Sequence, residues 1–308
     1  MRHFIIIFLF LNCSSYSYCQ KIGKSDLKQL KSIEDTLKIA ADSIINSSNW
    51  EQRFKSDEVL IKGLVTALKK PNSFYYPFDS VRISKLYAPD SSFRIFTWQV
   101  TKDLTFYRQR GAIQMKTSDG SLKLFPLFDV SDFTKAPNDS VRETTKWIGA
   151  IYYQIILKTY NNKKYYTMLG RDDNNERTNK KWIDILTFDE AGKPQFGRNC
   201  FIYPNDGVKP PQPCYRFCLE FRKNAGVTLK YDEKLDEILM DHLISENNDL
   251  ETKSTLIPYG DYEGFRWQNG KWYFTAQPYD AVEIDDKPKT FPMPFLEKET
   301  KKKRRNKF

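Results

Sequence analysis

The chain has 308 residues, 15% aromatic, with a formal net charge of +10 and only two histidines. That length supports one large domain or two small ones. With so little histidine, no Gly-rich phosphate loop and no His-Glu-x-x-His pattern, nucleotide chemistry and a histidine-built zinc site are excluded as leading readings.

The charge is unevenly placed. Lys298, Lys301, Lys302, Lys303, Arg304, Arg305 and Lys307 stand against Glu299 alone at the end of the chain, so the body is nearly neutral. Residues 281–308 also carry Pro288, Pro292 and Pro294 and no core pattern. They read as a disordered basic tail able to touch anionic surfaces. No specific nucleic-acid partner is expected.

Arg2 and His3 precede an apolar run from Phe4 to Leu11, and a small polar segment follows to Gln20. This is the pattern of a secretory signal over residues 1–19, with cleavage after Cys19. The apolar run is far below the about 20 residues needed to span a bilayer. The expected location is periplasmic or secreted. Acylation of Cys13 or Cys19 is the less favoured alternative, because the residues before them suit a lipoprotein signal poorly.

Residues 20–72 read as helical. Leu27, Leu30, Ile33, Leu37, Ala40, Ala41 and Ile44 form one stripe, with Ser25 as the expected cap. A second stripe holds Trp50, Phe54, Ile61, Leu64, Val65 and Leu68, opened by Ser48 and Glu51 as a capping box and stopped before Pro71. Both stripes need a partner, so the helices are expected to pair and pack on the sheet.

Residues 73–280 read as strands. From Phe93 to Trp98 the alternation is that of a strand, and Asp119-Gly120 is a hairpin signal. Further strands follow from Trp147, with turns at Asn161-Asn162, Gly192 and Asn269-Gly270 and a Pro-rich interruption from Pro204 to Pro213. Strands succeed one another without helices between them. The expected fold is mainly β, an antiparallel meander or two-layer curved sheet of about 11–12 strands, with two N-terminal α-helices.

The stretches YYPFDSVRISKLYAPDSSFRIFTWQV, YYTMLGRDDNNERTNKKWIDILTF and GDYEGFRWQNGKW resemble an uncharacterised family of exported proteins of Gram-negative bacteria. The likeness spans about residues 50–275. It implies export and sheet content, and carries no activity, ligand or site residue.

Cys200, Cys214 and Cys218 remain after the leader. Cys214 and Cys218 on one strand would lie about 13 Å apart, too far to bond. A disulfide between Cys200 and Cys214, or Cys200 and Cys218, is set against three buried free thiols.

Candidate chemistry is sparse. His242 has Asp241 beside it, which on a strand points to the opposite face. Asp232, Glu233, Asp236 and Glu237 cluster at a turn and offer a carboxylate pair for glycoside hydrolysis. Asp172, Asp173, Asn174, Asn175 and Glu176 offer hard oxygen atoms, with Asp172, Asp173 and Asn175 the metal candidates, although they do not match the twelve-residue calcium loop. Trp98, Trp147, Trp182, Trp267 and Trp272 can stack on sugars, but strand aromatics usually belong to the core. No cofactor is expected. The leading expectation is a non-enzymatic binding or structural module of the cell envelope, with an envelope glycan or protein as partner. The alternative is a carboxylate-dependent hydrolase of an envelope carbohydrate.

Overall fold

The computed structural model describes residues 21–276. The expected leader and the expected disordered tail therefore lie outside the described residues.

Two helices come first, α1 (Lys24–Asn46) and α2 (Trp50–Leu68). The expected stripes are the buried ones: Leu30, Leu37, Ala40, Ala41 and Ile44 on α1, and Leu60, Leu64, Ala67 and Leu68 on α2. Each fully buried leucine contributes about 1.5–3 kcal/mol. The caps differ from expectation by a residue or two. Gly23 precedes α1, and Ser25 lies inside its first turn. Asn49, not Ser48, caps α2 by accepting from the Glu51 N–H at 2.8 Å. Asparagine caps as well as serine, since its short side chain reaches the same free N–H groups.

Fifteen strands follow among the described residues: β1 (Ser84–Tyr87), β2 (Phe93–Thr101), β3 (Tyr107–Met115), β4 (Lys123–Phe128), β5 (Arg142–Glu143), β6 (Ile151–Tyr160), β7 (Lys163–Asp172), β8 (Thr178–Phe188), β9 (Pro194–Phe196), β10 (Phe201–Ile202), β11 (Phe217–Arg222), β12 (Leu229–Asp232), β13 (Glu237–Ser245), β14 (Leu256–Gln268) and β15 (Lys271–Ala276). The excess over the expected number comes from pieces of two or three residues, too short to show a period. The fold is mainly β with antiparallel sheets and does not close into a barrel.

The strands form three sheets. The first is the meander β1-β2-β3-β4. The second runs β5-β9-β8-β7-β6. On β8, β11 pairs with the first half (Phe221 opposite Asn179) while β9 pairs with the last residues (Phe196 opposite Leu186). The third runs β10-β15-β14-β13-β12, with a short parallel pair between β10 and β15. Asn161 and Asn162 both take positive φ, as do Asn269 and Gly270, which gives the tight hairpin turns whose twist matches the strands.

Period two decides the stacking. On β2, Phe96, Trp98 and Val100 share a core with the two helices, while Phe93 and Ile95 share one with the second sheet. On β8, Trp182 and Leu186 face the first sheet, and Ile183 and Ile185 face the third. The order of layers is therefore helices, first sheet, second sheet, third sheet. The middle of the second sheet, residues 165–170 of β7 and 182–186 of β8, is buried on both faces, so these stretches lack a clean apolar–polar alternation. Polar side chains pin the layers. Asp57 of α2 is buried and accepts from Trp98 Nε1 at 2.7 Å and Arg110 Nε at 2.9 Å.

Candidate functional site

A polar cavity of about 450 Å³ opens between the first and second sheets. Its walls come from separate segments: Tyr107 and Gln109 of β3, Asp129 after β4, Asp172 ending β7, Lys180 and Trp182 of β8, Glu220 of β11, and the passage 207–211. That passage belongs to the Pro-rich interruption of the strand pattern. A long connection without regular structure is commonly functional, and its length was the one sequence signal for this wall.

A chain of amides crosses between the sheets. Gln99 and Gln109 are opposite each other on β2 and β3. Gln99 Nε2 donates to Asp173 Oδ2 at 2.8 Å; Gln109 Nε2 donates to Gln99 Oε1 at 2.8 Å and to Asp172 Oδ1 at 2.9 Å. Asp172 also accepts from the Asn174 N–H at 2.9 Å. Its side chain sits on a residue only 7% exposed. Burial pushes its carboxyl up to about 6, with the carboxylates of Asp129 and Asp173 adding to the rise, while the Asn174 N–H and Lys180 oppose it.

Asp129 is held more tightly. Oδ2 accepts from the Gln109 N–H at 3.0 Å, and Oδ1 accepts from the Ser131 and Gly149 N–H groups, each at 3.0 Å. Gly149 is required by this approach: a Cβ there would stand 2.3 Å from both Cβ and Cγ of Gln109. On the far wall, Glu220 Oε1 accepts from Thr178 Oγ1 at 2.7 Å and Asn174 Nδ2 at 3.1 Å. Lys180 Nζ donates to Asn174 Oδ1 at 2.8 Å and stands 3.7 Å from Glu220 Oε2.

Three buried polar atoms of lining residues have no hydrogen-bond partner: Trp182 Nε1, Gln109 Oε1 and Asn138 Oδ1. Each such group costs about 1–3 kcal/mol when left unpaired. The lining also balances Asp129, Asp132, Asp172 and Glu220 against Lys135, Lys180, Lys209 and Lys253. Such a site offers dense hydrogen bonding with little net field.

Beneath Trp182 lies a fully buried ion pair. Arg216 Nη2 donates to Asp184 Oδ2, and the Arg216 guanidinium sits 4.9 Å from the centre of the Trp182 ring. Tyr152 Oη donates to Asp184 Oδ2 at 2.7 Å, and burial raises that phenol far above its ordinary value.

The remaining residues named from sequence fall elsewhere. Asp172 reaches the cavity, where its carboxylate meets Gln109 and the Asn174 N–H. Asp173 is taken by Gln99, and Asn175 Oδ1 accepts from the Arg177 and Thr178 N–H groups at 2.8 and 2.9 Å. Among the described residues, no three His, Cys, Asp or Glu side chains converge as a metal site. Asp232 Oδ1 caps its own turn at Lys234, Asp236 pairs with Lys158, and buried Glu237 pairs with Arg266 at 2.5 Å. None of these, nor Glu233, lines the cavity. His242 Nδ1 lies 2.6 Å from Glu263 Oε1, a partner on the neighbouring strand that sequence adjacency to Asp241 did not suggest. Glu263 in turn pairs with Lys209, which reaches the cavity wall.

Of the two readings left open for the cysteines, a Cys200 disulfide or three buried thiols, the structure has the second: Cys200, Cys214 and Cys218 are free and buried. Cys214 Sγ donates to the Arg216 carbonyl at 2.8 Å, which directs the thiol to the backbone. Burial pushes the Cys200 thiol up to about 12 and that of Cys214 up to about 11. Trp98, Trp147, Trp182 and Trp272 are core residues, as strand aromatics usually are. Gln109, Lys180 and Glu220 escape a sequence reading because a polar residue on a strand ordinarily reads as facing water, and Asp129 because it stands in the connection after β4.

Comparison with known proteins finds no matching family model, no matching curated protein and no matching solved structure.

Proposed function

We propose that this is an exported, non-enzymatic binding module of the cell envelope, and that the polar cavity takes a small hydroxyl-rich ligand of the sugar class. The leader pattern at residues 1–19 supports export. The observation that carries the ligand reading is the lining, where four carboxylates and four ammonium groups surround one polar cavity. Balanced charge suits a neutral polyol better than a strong anion or cation. The half-buried Tyr107 ring adds an apolar face of the kind sugars stack on. The test is calorimetric titration of the mature protein with mono- and disaccharides and with peptidoglycan fragments, on the wild type and on Lys180→Ala. Saturable binding weakened in the variant supports the reading; absence of binding across that panel removes it.

A second reading, a carboxylate-dependent hydrolase, draws on the same cavity. Asp172 holds its proton up to about pH 6 within electrostatic reach of Asp129. Asp129, however, accepts three backbone N–H bonds, which suits a fixed structural carboxylate better than a nucleophile. Turnover of aryl glycosides that disappears in Asp172→Asn would favour this reading over binding alone.

A further inference from the structure

A second cavity, of about 320 Å³, lies on the opposite face of the first sheet, where α2 meets β3 and β4. Four strands at about 4.8 Å spacing present a face that two helices only partly cover. Both helices pack on β2, and the β4 edge stays open: Phe128 is 57% exposed. Ile61 and Val65 of α2 form one wall, and Leu124, Pro126 and Phe128 of β4 form the other. From Leu124 to Phe128 along the strand is about 13 Å. The walls are apolar along this length, and the volume is within the range of small-molecule pockets.

One end is charged. Arg110 is opposite Phe128 in the ladder, which puts Arg108 just beyond the end of β4. Arg110 is engaged through Nε by Asp57. Arg108 makes no hydrogen bond or ion pair among the described residues; its guanidinium only lies 5.5 Å from the centre of the Phe106 ring. Asp129 stands at the same end but is held by the Gln109, Ser131 and Gly149 N–H groups, which leaves Arg108 as the unpaired cation. An elongated apolar trough with an unpaired cation at one end matches one chemistry, an apolar chain ending in an anion.

We propose that this trough binds a single-chain anionic amphiphile of the fatty-acid class, with the chain between α2 and β4 and the head group on Arg108. The test is titration of the intact protein with the fluorescent probe cis-parinaric acid below its micellar range, followed by displacement with oleate and with oleyl alcohol. The expected result is saturable binding, displacement by both, and an about tenfold loss of oleate affinity in Arg108→Gln with oleyl alcohol unchanged. Half-buried Val65, changed to Lys, should block both, with an unaltered circular dichroism spectrum as the check on folding. Failure of oleate to displace the probe, equal loss of both ligands in Arg108→Gln, or undiminished binding in Val65→Lys overturns the proposal. So does a concentration-dependent dimer abolished by Phe128→Asp, which would assign the trough to a second copy of the chain.

Discussion

Asp172→Asn separates the stability of the polar cavity from its use. The folded carboxyl titrates at about 6, against an ordinary value of 3.8. Between these values the native state keeps a proton that the unfolded chain has released. Stability must then fall as pH rises through that window and stay lower above it. The gap of about two pH units, at about 1.4 kcal/mol each, sets an upper figure of about 3 kcal/mol. Asparagine retains Oδ1, the atom that accepts from Gln109 Nε2 and the Asn174 N–H, and replaces Oδ2 by a neutral NH2 much as protonation replaces it by an OH. The variant should therefore match the wild type near pH 4 and exceed it by about 1–3 kcal/mol at pH 8. Urea unfolding of both proteins from pH 4 to pH 8 reads this directly, since groups common to both cancel. A pH-independent difference, or a variant less stable at pH 8, would refute the placement of this carboxyl in a desolvated wall. If the variant is more stable yet binds ligand less well, the buried carboxyl is retained for binding at the expense of stability.

Other perturbations test the core around it. Arg216→Met leaves the Asp184 carboxylate fully buried without its cation and should lower stability by about 3–5 kcal/mol. The double variant Arg216→Met with Asp184→Leu should be less destabilised than Arg216→Met alone in the same urea assay; an additive loss would deny that the two act as a pair. Gly149→Ala should cost about 1–3 kcal/mol by driving Gln109 and Asp129 apart, and its ligand titration should weaken in parallel; an unchanged midpoint would mean that the loop shifts freely. Cys200, Cys214 and Cys218 should resist a thiol reagent in the native mature protein and react together on unfolding, because burial both shields them and disfavours the thiolate. Rapid native labelling of any of the three would place it nearer the surface than the structure does.

Some of this architecture is local and was legible in the chain. The apolar stripes of α1 and α2 recur at helical spacing, and any helix with such a stripe must bury it. Asn161-Asn162 and Asn269-Gly270 announce hairpins because those residues tolerate positive φ. The caps of the helices were misplaced by a residue or two, since Ser25, Ser48 and Asn49 all carry suitable side chains and only the backbone path selects among them. The disulfide expectation weighed spacing and compartment, and neither reveals that Cys214 turns toward the Arg216 carbonyl.

The cavity was hidden for a different reason. Asp172 reads as a metal candidate from its acidic neighbours, whereas its environment is set by Gln109 from another sheet, far away in sequence. Gln99 and Gln109 look like solvent-facing positions until a second sheet is laid over them. Sequence alone determined that this protein is a strand-rich body led by two amphipathic helices, with its turns placed by asparagine, glycine and aspartate. Only the tertiary structure decided that the strands stack as three sheets and enclose a polar cavity. The physical reason is that periodicity records which face of an element avoids water, and not which other element it will meet there.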